Sequence, residues 1–148
     1  MWVKIHTGCI PWAPVPMGRP RFTRKGRAYT PKKTKDYLIN ASVHIKEEIR
    51  YLPPIPAGEP IRIEALFIHK RPKSKNRKKD PSSRIAKTTK PDLDNLWKML
   101  LDSLVYASAI CDDNQITSIG NLDGEPHQDC YAAKGEDPQT LYQIFIWR

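Results

Sequence analysis

Residues 90–104 read KPDLDNLWKMLLDSL, and the spacing of their apolar residues predicts a helix. Pro91 suits the start of a helix, because its missing N–H has no hydrogen bond to lose in the first turn. Apolar side chains then recur at spacings of three and four residues, which predicts one buried helical face. They are Leu93, Leu96, Leu100 and Leu104.

The segments on either side of this stretch predict one more helix and a small sheet. The other helix is expected to begin at Pro31, with Thr30 as its cap, and to end before the prolines of residues 53–56. Strands are expected where β-branched and aromatic residues cluster or alternate. These strand candidates are residues 3–10, 61–69, 116–122 and 141–147.

The order of these elements is strand, helix, strand, helix, strand, strand. It predicts an α+β fold, with a small mixed β-sheet and two main helices. The length of 148 residues fits one domain, so residues 1–148 are expected to form a single domain.

Charge is segregated along the chain, whose formal net charge is +9. Residues 18–35 contain eight basic and no acidic residues, and residues 70–90 contain ten basic and one acidic residue. The rest of the chain is net acidic. Two basic segments on an acidic body suit a polyanion, because each neutralised phosphate releases counterions. The alternative is two solvated loops without a partner, and both segments are expected to be mobile.

Several classes of protein lack support in the sequence. No run approaches the roughly 18–20 apolar residues of a membrane-spanning helix, and no secretory signal is visible. The three cysteines include no C-x-x-C pair, so neither a disulfide framework nor a four-thiolate zinc site is expected. His127 and Cys130 have the spacing of half a zinc site but lack a second pair. P-loop, G-x-S-x-G and G-x-G-x-x-G motifs are absent. We therefore expect a cytoplasmic protein with no membrane and no small-molecule cofactor.

Four aspartates flank the predicted second helix. Asp92 and Asp94 lie where the basic segment becomes helix, and Asp112 and Asp113 precede the next strand. An aspartate at a helix start is commonly a cap, since the free backbone N–H groups there favour negative charge. Carboxylates on different elements are also the hard oxygen ligands that Mg²⁺ requires. On the residues alone, a metal site and a set of caps and surface acids both stay open.

Lys98 lies one helical turn from both Asp94 and Asp102. The three side chains are interpreted either as a ladder of ion pairs or as an ammonium group held beside a metal cluster. In the second case Lys98 contacts the scissile phosphate. Phosphodiester hydrolysis unites these parts, because carboxylates hold one or two Mg²⁺ ions that activate water, while basic segments dock the flanking phosphates.

The segment PDLDNLWKMLLDSL and the later DDNQI resemble the signature of the RusA family of Holliday junction resolvases. The early I-P-W-x-P, followed by a basic loop that contains G-R, is similar to the N-terminal region of that family. The resemblance implies a small homodimeric, Mg²⁺-dependent endonuclease, with Mn²⁺ as an alternative ion, encoded by bacteria and often by phages or prophages. Its substrate would be the four-way DNA junction, nicked symmetrically on two opposed strands.

The resemblance also implies roles for individual residues. Asp92 and Asp94 match the first two catalytic carboxylates of the family, Asp113 matches the third and Lys98 matches the essential lysine. Asp112 is a further candidate metal ligand, and Phe22 and Trp12 are candidates to wedge between bases, although Trp12 is equally interpreted as core. Candidate DNA contacts are Arg19, Arg21, Arg24, Lys25, Arg27, Lys32, Lys33, Lys87, Lys90, Asn95 and Lys98.

Two other functions compete with this hypothesis. In one, the chain is a non-catalytic DNA-binding module whose acidic residues only cap helices and pair with lysines. In the other, the chain is a nuclease that acts on flaps or replication forks. Mg²⁺-dependent nicking separates the enzyme from the binding module, and a panel of branched substrates separates the two nucleases.

Overall fold

A computed structural model describes residues 1–18 and 20–148. The α+β class predicted from the sequence is confirmed. Within this part of the chain there are two α-helices and eight strands. The helices are α1 (Lys32–Glu48) and α2 (Leu93–Tyr106), and the strands are β1 (Trp2–Ile10), β2 (Arg21–Phe22), β3 (Ala28–Tyr29), β4 (Ile61–His69), β5 (Ile85–Ala86), β6 (Ile116–Asn121), β7 (Asp129–Tyr131) and β8 (Gln139–Trp147).

The chain divides into two compact units, each assembled from separate stretches. The first unit contains Met1–Pro14, Pro56–Lys90 and Asn114–Arg148. The second contains Val15–Ile55 and Pro91–Asp113. The first unit holds the sheet of six strands, and the second holds both α-helices. The expectation of a single domain stays a prediction.

The sheet of the first unit is mixed, as the sequence predicts. Its strand order is β1-β8-β4-β7-β5, and β6 pairs with β4. Strand β4 runs antiparallel to β8 and parallel to both β6 and β7. Because β4 is central, its side chains from Ala65 onward are all buried. This agrees with its continuous apolar sequence, which is typical of a strand covered on both faces.

Two short strands of this sheet, β5 and β7, were not predicted. Both lie in segments that the sequence predicts to be loops, and each has only two or three residues. A period-two pattern cannot show in so short a segment. Cys130 of β7 is buried in the apolar core, so the interpretation of this residue as part of a surface loop is wrong.

Residues 70–90 were predicted to form a mobile loop; the structure adds two short elements to this segment, and its mobility stays a prediction. The segment contains a 3-10 helix (Lys73–Lys75) and strand β5, which pairs with β7. Arg71 is only 8 % exposed and donates hydrogen bonds to four backbone carbonyl groups. A low content of apolar residues predicts disorder, but buried hydrogen bonds hold this segment instead.

The second unit begins with a basic hairpin, which we define as residues 21–29. Strands β2 and β3 pair antiparallel across a turn in which Gly26 has a φ of 78°. Glycine adopts this left-handed conformation without a steric cost. Gly26 therefore allows the tight turn between the two strands.

Helices α1 and α2 lie where the sequence predicts them, with small differences at their starts. The N-cap of α1 is Pro31, which makes no side-chain hydrogen bond, so the prediction of Thr30 as the cap is wrong. Helix α1 ends at Glu48, before the prolines. Helix α2 starts after Pro91, with Asp92 at its N-cap. Both helices bury one face. The buried residues of α2 are Leu96, Trp97, Met99, Leu100, Ser103 and Leu104.

Candidate active site

The candidate site is centred on the first turn of α2, in the second unit. Asp92 occupies the N-cap and Asp94 the first turn, and both side chains are exposed. The positive end of the helix dipole lies at this terminus, which lowers the cost of holding two carboxylates close together. We call Asp92 and Asp94 the helix-start carboxylates.

The structure tests the simplest alternative role of these carboxylates. Asp92 has the extended backbone of an N-cap, with φ −72° and ψ 147°, but its side chain makes no capping hydrogen bond. Asp94 forms no side-chain hydrogen bond or ion pair within the described part of the chain. Neither carboxylate is therefore used to complete the helix.

The predicted ladder of ion pairs along α2 is not formed either. Asp94, Lys98 and Asp102 follow one another at four-residue spacing, yet none of them joins an ion pair among residues 1–18 and 20–148. Side chains four apart on a helix have Cβ atoms about 6 Å apart, so Lys98 still lies beside Asp94. Lys98 is exposed, because the apolar face of α2 is turned away from it. Its ammonium group is thus available for an anionic ligand.

A backbone contact that the sequence did not predict links the segment before the basic hairpin to the first turn of α2. The backbone N–H of Met17 donates to the backbone carbonyl of Asn95 at 3.0 Å. Asn95 lies in the first turn of α2, and Met17 precedes the hairpin by four residues. Both residues of this hydrogen bond belong to the second unit. No sequence signal could have indicated a hydrogen bond made by two backbone groups so far apart in the chain.

Asp112 and Asp113 lie beyond the other end of α2. Both are exposed, and Asp113 opens a 3-10 helix (Asp113–Gln115). Gln115, the last residue of that turn, is buried and donates to the carbonyl groups of Pro56 at 2.9 Å and Glu59 at 3.1 Å. The glutamine of the D-D-x-Q motif therefore has a structural role, which its place in the motif did not reveal.

The carboxylates fit a magnesium ion in chemistry but do not form a complete cage. Among the described residues, no three His, Cys, Asp or Glu side chains lie close enough together to hold a metal ion. The expected convergence of Asp92, Asp94 and Asp113 is thus not present in the single chain. Mg²⁺ is commonly bound by one or two carboxylates plus water and substrate phosphates, and the helix-start carboxylates supply ligands of that kind.

The basic hairpin presents its cations and one aromatic ring to solvent. Every residue of the hairpin is exposed, and Phe22 has 70 % of its surface exposed. Arg19 lies outside the described residues. The predicted DNA contacts found exposed in this unit are Arg21, Arg24, Lys25, Arg27, Lys32, Lys33 and Lys98.

The structure also shows the exposure of four other residues singled out from the sequence. The side chain of Lys87 is only 3 % exposed, and its Nζ lies 3.3 Å from Oδ2 of Asp129, so in the free chain its ammonium group is paired with a carboxylate. It belongs to the buried part of the sheet, whereas Lys90 is exposed. Trp12 is 43 % exposed and is not a core residue. Asn95 is half-buried.

Asp129 also faces a histidine in the first unit. Its Oδ1 lies 2.7 Å from Nε2 of His69, although the two atoms are not aligned for a hydrogen bond. His6 Nε2 lies 3.3 Å from the hydroxyl group of Tyr142. His6 and His69 are both buried, and these contacts give each a structural role.

A family model described as endodeoxyribonuclease RusA matches residues 11–127. The chain belongs to the RusA family. The matched range includes the helix-start carboxylates, Lys98, the basic hairpin and the pair Asp112–Asp113. RusA is a family of endodeoxyribonucleases that act on branched DNA junctions, so the chain is assigned as a nuclease. A comparison with curated proteins gives no match.

None of the helices in the described part of the chain has the length and apolar character that a membrane crossing requires.

Proposed function

We propose that the chain is a Mg²⁺-dependent, structure-selective endonuclease that resolves four-way DNA junctions by paired symmetric nicks. This proposal depends mainly on the exposure of the helix-start carboxylates and Lys98 and on their lack of side-chain partners. All three are exposed, adjacent on α2 and without a side-chain partner among the described residues, inside the range matched by the RusA family. Charged groups left unpaired in this way are suited to bind a cation and a phosphate.

Each acidic residue has a defined part in the proposal. Asp92 and Asp94 would hold the ion, and Asp113 and Asp112 are proposed as further ligands. When present, Mg²⁺ or Mn²⁺ supplies an activated water and neutralises phosphate charge. The DNA itself contributes phosphate oxygens, which is why the free chain need not assemble a full ligand set.

Lys98 and the basic hairpin contact the DNA in this proposal. Lys98 stabilises negative charge that develops on the attacked phosphate. The cations of the hairpin contact flanking phosphates, which positions the duplex without reading its sequence. Phe22, at the exposed face of the hairpin, inserts between bases at the junction centre, as apolar wedges do in proteins that open DNA.

Symmetric nicking requires two active sites, so we propose a homodimer. A groove of about 600 Å³ in the second unit supports this proposal. Its lining includes three apolar side chains that are at least half exposed, namely Ile39, Val43 and Tyr106. A second copy with the same surface would cover these side chains around a two-fold axis.

The experiment that tests the activity is cleavage of a panel of labelled substrates: a four-way junction, a flap, a fork and a plain duplex. We expect Mg²⁺-dependent nicks at symmetric positions in the junction, and none when EDTA replaces the ion. Preferential cleavage of the flap or the fork would show that this structure, rather than the four-way junction, is the substrate. Salt-sensitive binding without nicking of any substrate would leave a non-catalytic DNA-binding module.

The proposed DNA substrate also indicates where in the cell the protein acts. We propose a bacterial cytoplasm, with a phage or prophage as a source of the gene. The three cysteines support a reducing compartment, because all of them are free thiols.

A further inference from the structure

A second concentration of positive charge lies in the first unit, outside the proposed active site. Within residues 70–79, five lysine side chains are exposed and take part in no hydrogen bond or ion pair among the described residues. The only acidic residue of the 70–90 segment, Asp80, is occupied by Arg77, whose Nε lies 3.0 Å from Oδ2 of Asp80. We define the five lysines as the lysine patch: Lys70, Lys73, Lys75, Lys78 and Lys79.

The backbone beneath the lysine patch is held by a buried arginine. Arg71 donates to the carbonyl groups of Lys75 at 2.7 Å, Ser83 at 3.0 Å and Ala132 at 3.3 Å, and also to that of Pro81. These acceptors lie within the patch, just after it and beside β7. One guanidinium therefore fixes the segment to the sheet.

The tip of the segment is a tight turn with its own anchor. The N–H of Asp80 donates to the carbonyl of Arg77 at 3.0 Å, which places Lys78 and Lys79 at the two central positions. Lys134 Nζ donates to the same carbonyl of Arg77 at 2.7 Å and to the carbonyl of Asp80 at 2.8 Å. The side chains of Lys78 and Lys79 consequently project outward from a fixed backbone.

Five unpaired lysines on a fixed backbone repel one another, and a bound polyanion would neutralise this repulsion. Like charges on neighbouring residues repel one another, and a segment of this composition is ordinarily disordered. Here two other cations, Arg71 and Lys134, hold the backbone while the five lysines stay unpaired. A surface fixed before binding loses less conformational entropy when its partner arrives.

We infer that the lysine patch is a phosphate-backbone binding surface for duplex DNA, separate from the basic hairpin. This inference rests on the proposed function, because the DNA bound by the patch is the proposed substrate of the chain. Lysines act as flexible point charges on phosphates, so the contact adds affinity without sequence or junction selectivity. The patch increases binding of DNA and takes no part in phosphodiester hydrolysis.

The test compares wild type with a variant in which all five lysines of the patch are changed to glutamine. Binding of a fluorescent four-way junction, and of a plain duplex, is measured without divalent ions between about 50 and about 200 mM salt. If four phosphates are contacted, the slope of log affinity against log salt falls by about 3–4, and affinity for both probes drops tenfold or more. Circular dichroism establishes that the variant is folded.

A matched pair of double variants controls for net charge alone. Lys78→Gln with Lys79→Gln is compared with Lys4→Gln plus Lys46→Gln, which removes the same charge from exposed positions elsewhere. Only the first pair is expected to reduce the salt slope. Equal slopes for the two pairs, or a five-lysine variant with the wild-type slope, would overturn the inference.

The nicking rate distinguishes this inference from the proposed function. At saturating protein, the five-lysine variant is expected to nick the junction at the wild-type rate, because the patch only adds affinity. A wild-type chain that binds DNA through the patch but nicks no substrate would refute the proposed activity alone. A five-lysine variant that binds normally but no longer nicks would refute the patch as a binding surface.

Discussion

Lys98 lies one helical turn beyond Asp94, exposed and without an ion-pair partner in the part of the chain that the structure describes. In an ordinary surface helix this spacing forms an ion pair worth a few tenths of a kcal/mol. Here the side chain stays unpaired next to two carboxylates. An unpaired lysine beside two carboxylates is the feature that distinguishes this helix terminus from one with a purely structural role.

Replacement of Lys98 by glutamine is expected to lower the nicking rate by about 10²–10³-fold at saturating protein, the usual cost of removing one preorganised charge-stabilising group. Junction binding should weaken only modestly, since the hairpin remains. Single-turnover cleavage measures the rate, and Lys46→Gln, an exposed lysine in the last turn of α1, is the control. Nicking by Lys98→Gln at the wild-type rate would remove this lysine from the chemistry.

Glu136 provides a pH-dependent contribution to stability. Its carboxylate accepts two hydrogen bonds from Arg84, at 3.0 and 2.7 Å, and the Arg84 guanidinium holds the pKa of Glu136 below its ordinary value of 4.5. A carboxyl group with a lowered pKa in the folded state stabilises the fold above pH 4.5, and this contribution is lost as the pH falls through the folded-state pKa. We expect the free energy of unfolding of wild type to fall more steeply below pH 4.5 than that of Glu136→Gln. Urea unfolding across acidic pH measures it, and parallel curves would contradict the assignment.

Among the structural elements, the segment between β4 and β5 depends most on one side chain. Arg71 satisfies four backbone carbonyl groups from a buried position. Hydrogen bonds to a charged donor contribute about 1.5–3 kcal/mol each, and unsatisfied buried acceptors add a cost.

Arg71→Gln is therefore expected to open this segment and to make it sensitive to trypsin, which cleaves after lysine. If local opening becomes about 3 kcal/mol easier, cleavage accelerates by about 100-fold or more, because proteolysis follows the population of the open form. Limited proteolysis with mass mapping locates the cuts. Lys134→Gln, which removes the smaller anchor, should have a weaker effect, and a protease-resistant Arg71→Gln would contradict the structural role of this arginine.

The elements that the sequence predicts well are those with a long repeating pattern. Helix α2 and strand β4 each present enough apolar residues for their period to be recognised. The short strands β5 and β7 exist because their backbones pair with each other and with β4, which local sequence does not encode. The order of residues 70–90 escaped prediction for the same reason, since Arg71 binds carbonyl groups as distant as that of Ala132.

Some features of the candidate site could likewise be predicted from the sequence, whereas others required coordinates. The helix-start carboxylates and Lys98 were predicted from the sequence, the structure shows all three exposed at the N-terminal end of α2, and their roles stay predictions. Their lack of side-chain partners and the hydrogen bond between Met17 and Asn95 required coordinates. The burial of Lys87 against Asp129 could not be predicted either, because it depends on the fold rather than on the basic segment around it.

For the whole molecule, assembly of two copies is the expected consequence of the groove in the second unit. Val43→Asp places a charge on an apolar side chain that is 66 % exposed, so the single chain should keep its fold. We expect this variant to be monomeric, because burying an unpaired charge at an interface is strongly unfavourable. Light scattering after size-exclusion chromatography measures the mass.

The dimer prediction is coupled to the pattern of nicking. A monomeric Val43→Asp should lose paired nicks before it loses single nicks in a four-way junction. A variant that stays dimeric would place the interface elsewhere on the chain. Lys46→Gln, on the exposed surface of the same helix, is the control for nonspecific effects on α1.

The most direct measurement is Mg²⁺-dependent cleavage of a mobile four-way junction by Asp94→Asn, compared with Asp102→Asn. The two aspartates lie two turns apart on α2, and neither has an ion-pair partner among the described residues. We predict that Asp94→Asn binds the junction at least as tightly as wild type, since a carboxylate facing phosphate is gone, but does not nick it. Asp102→Asn should nick normally. Cleavage by Asp94→Asn at the wild-type rate would contradict the assignment of the active site to the start of α2.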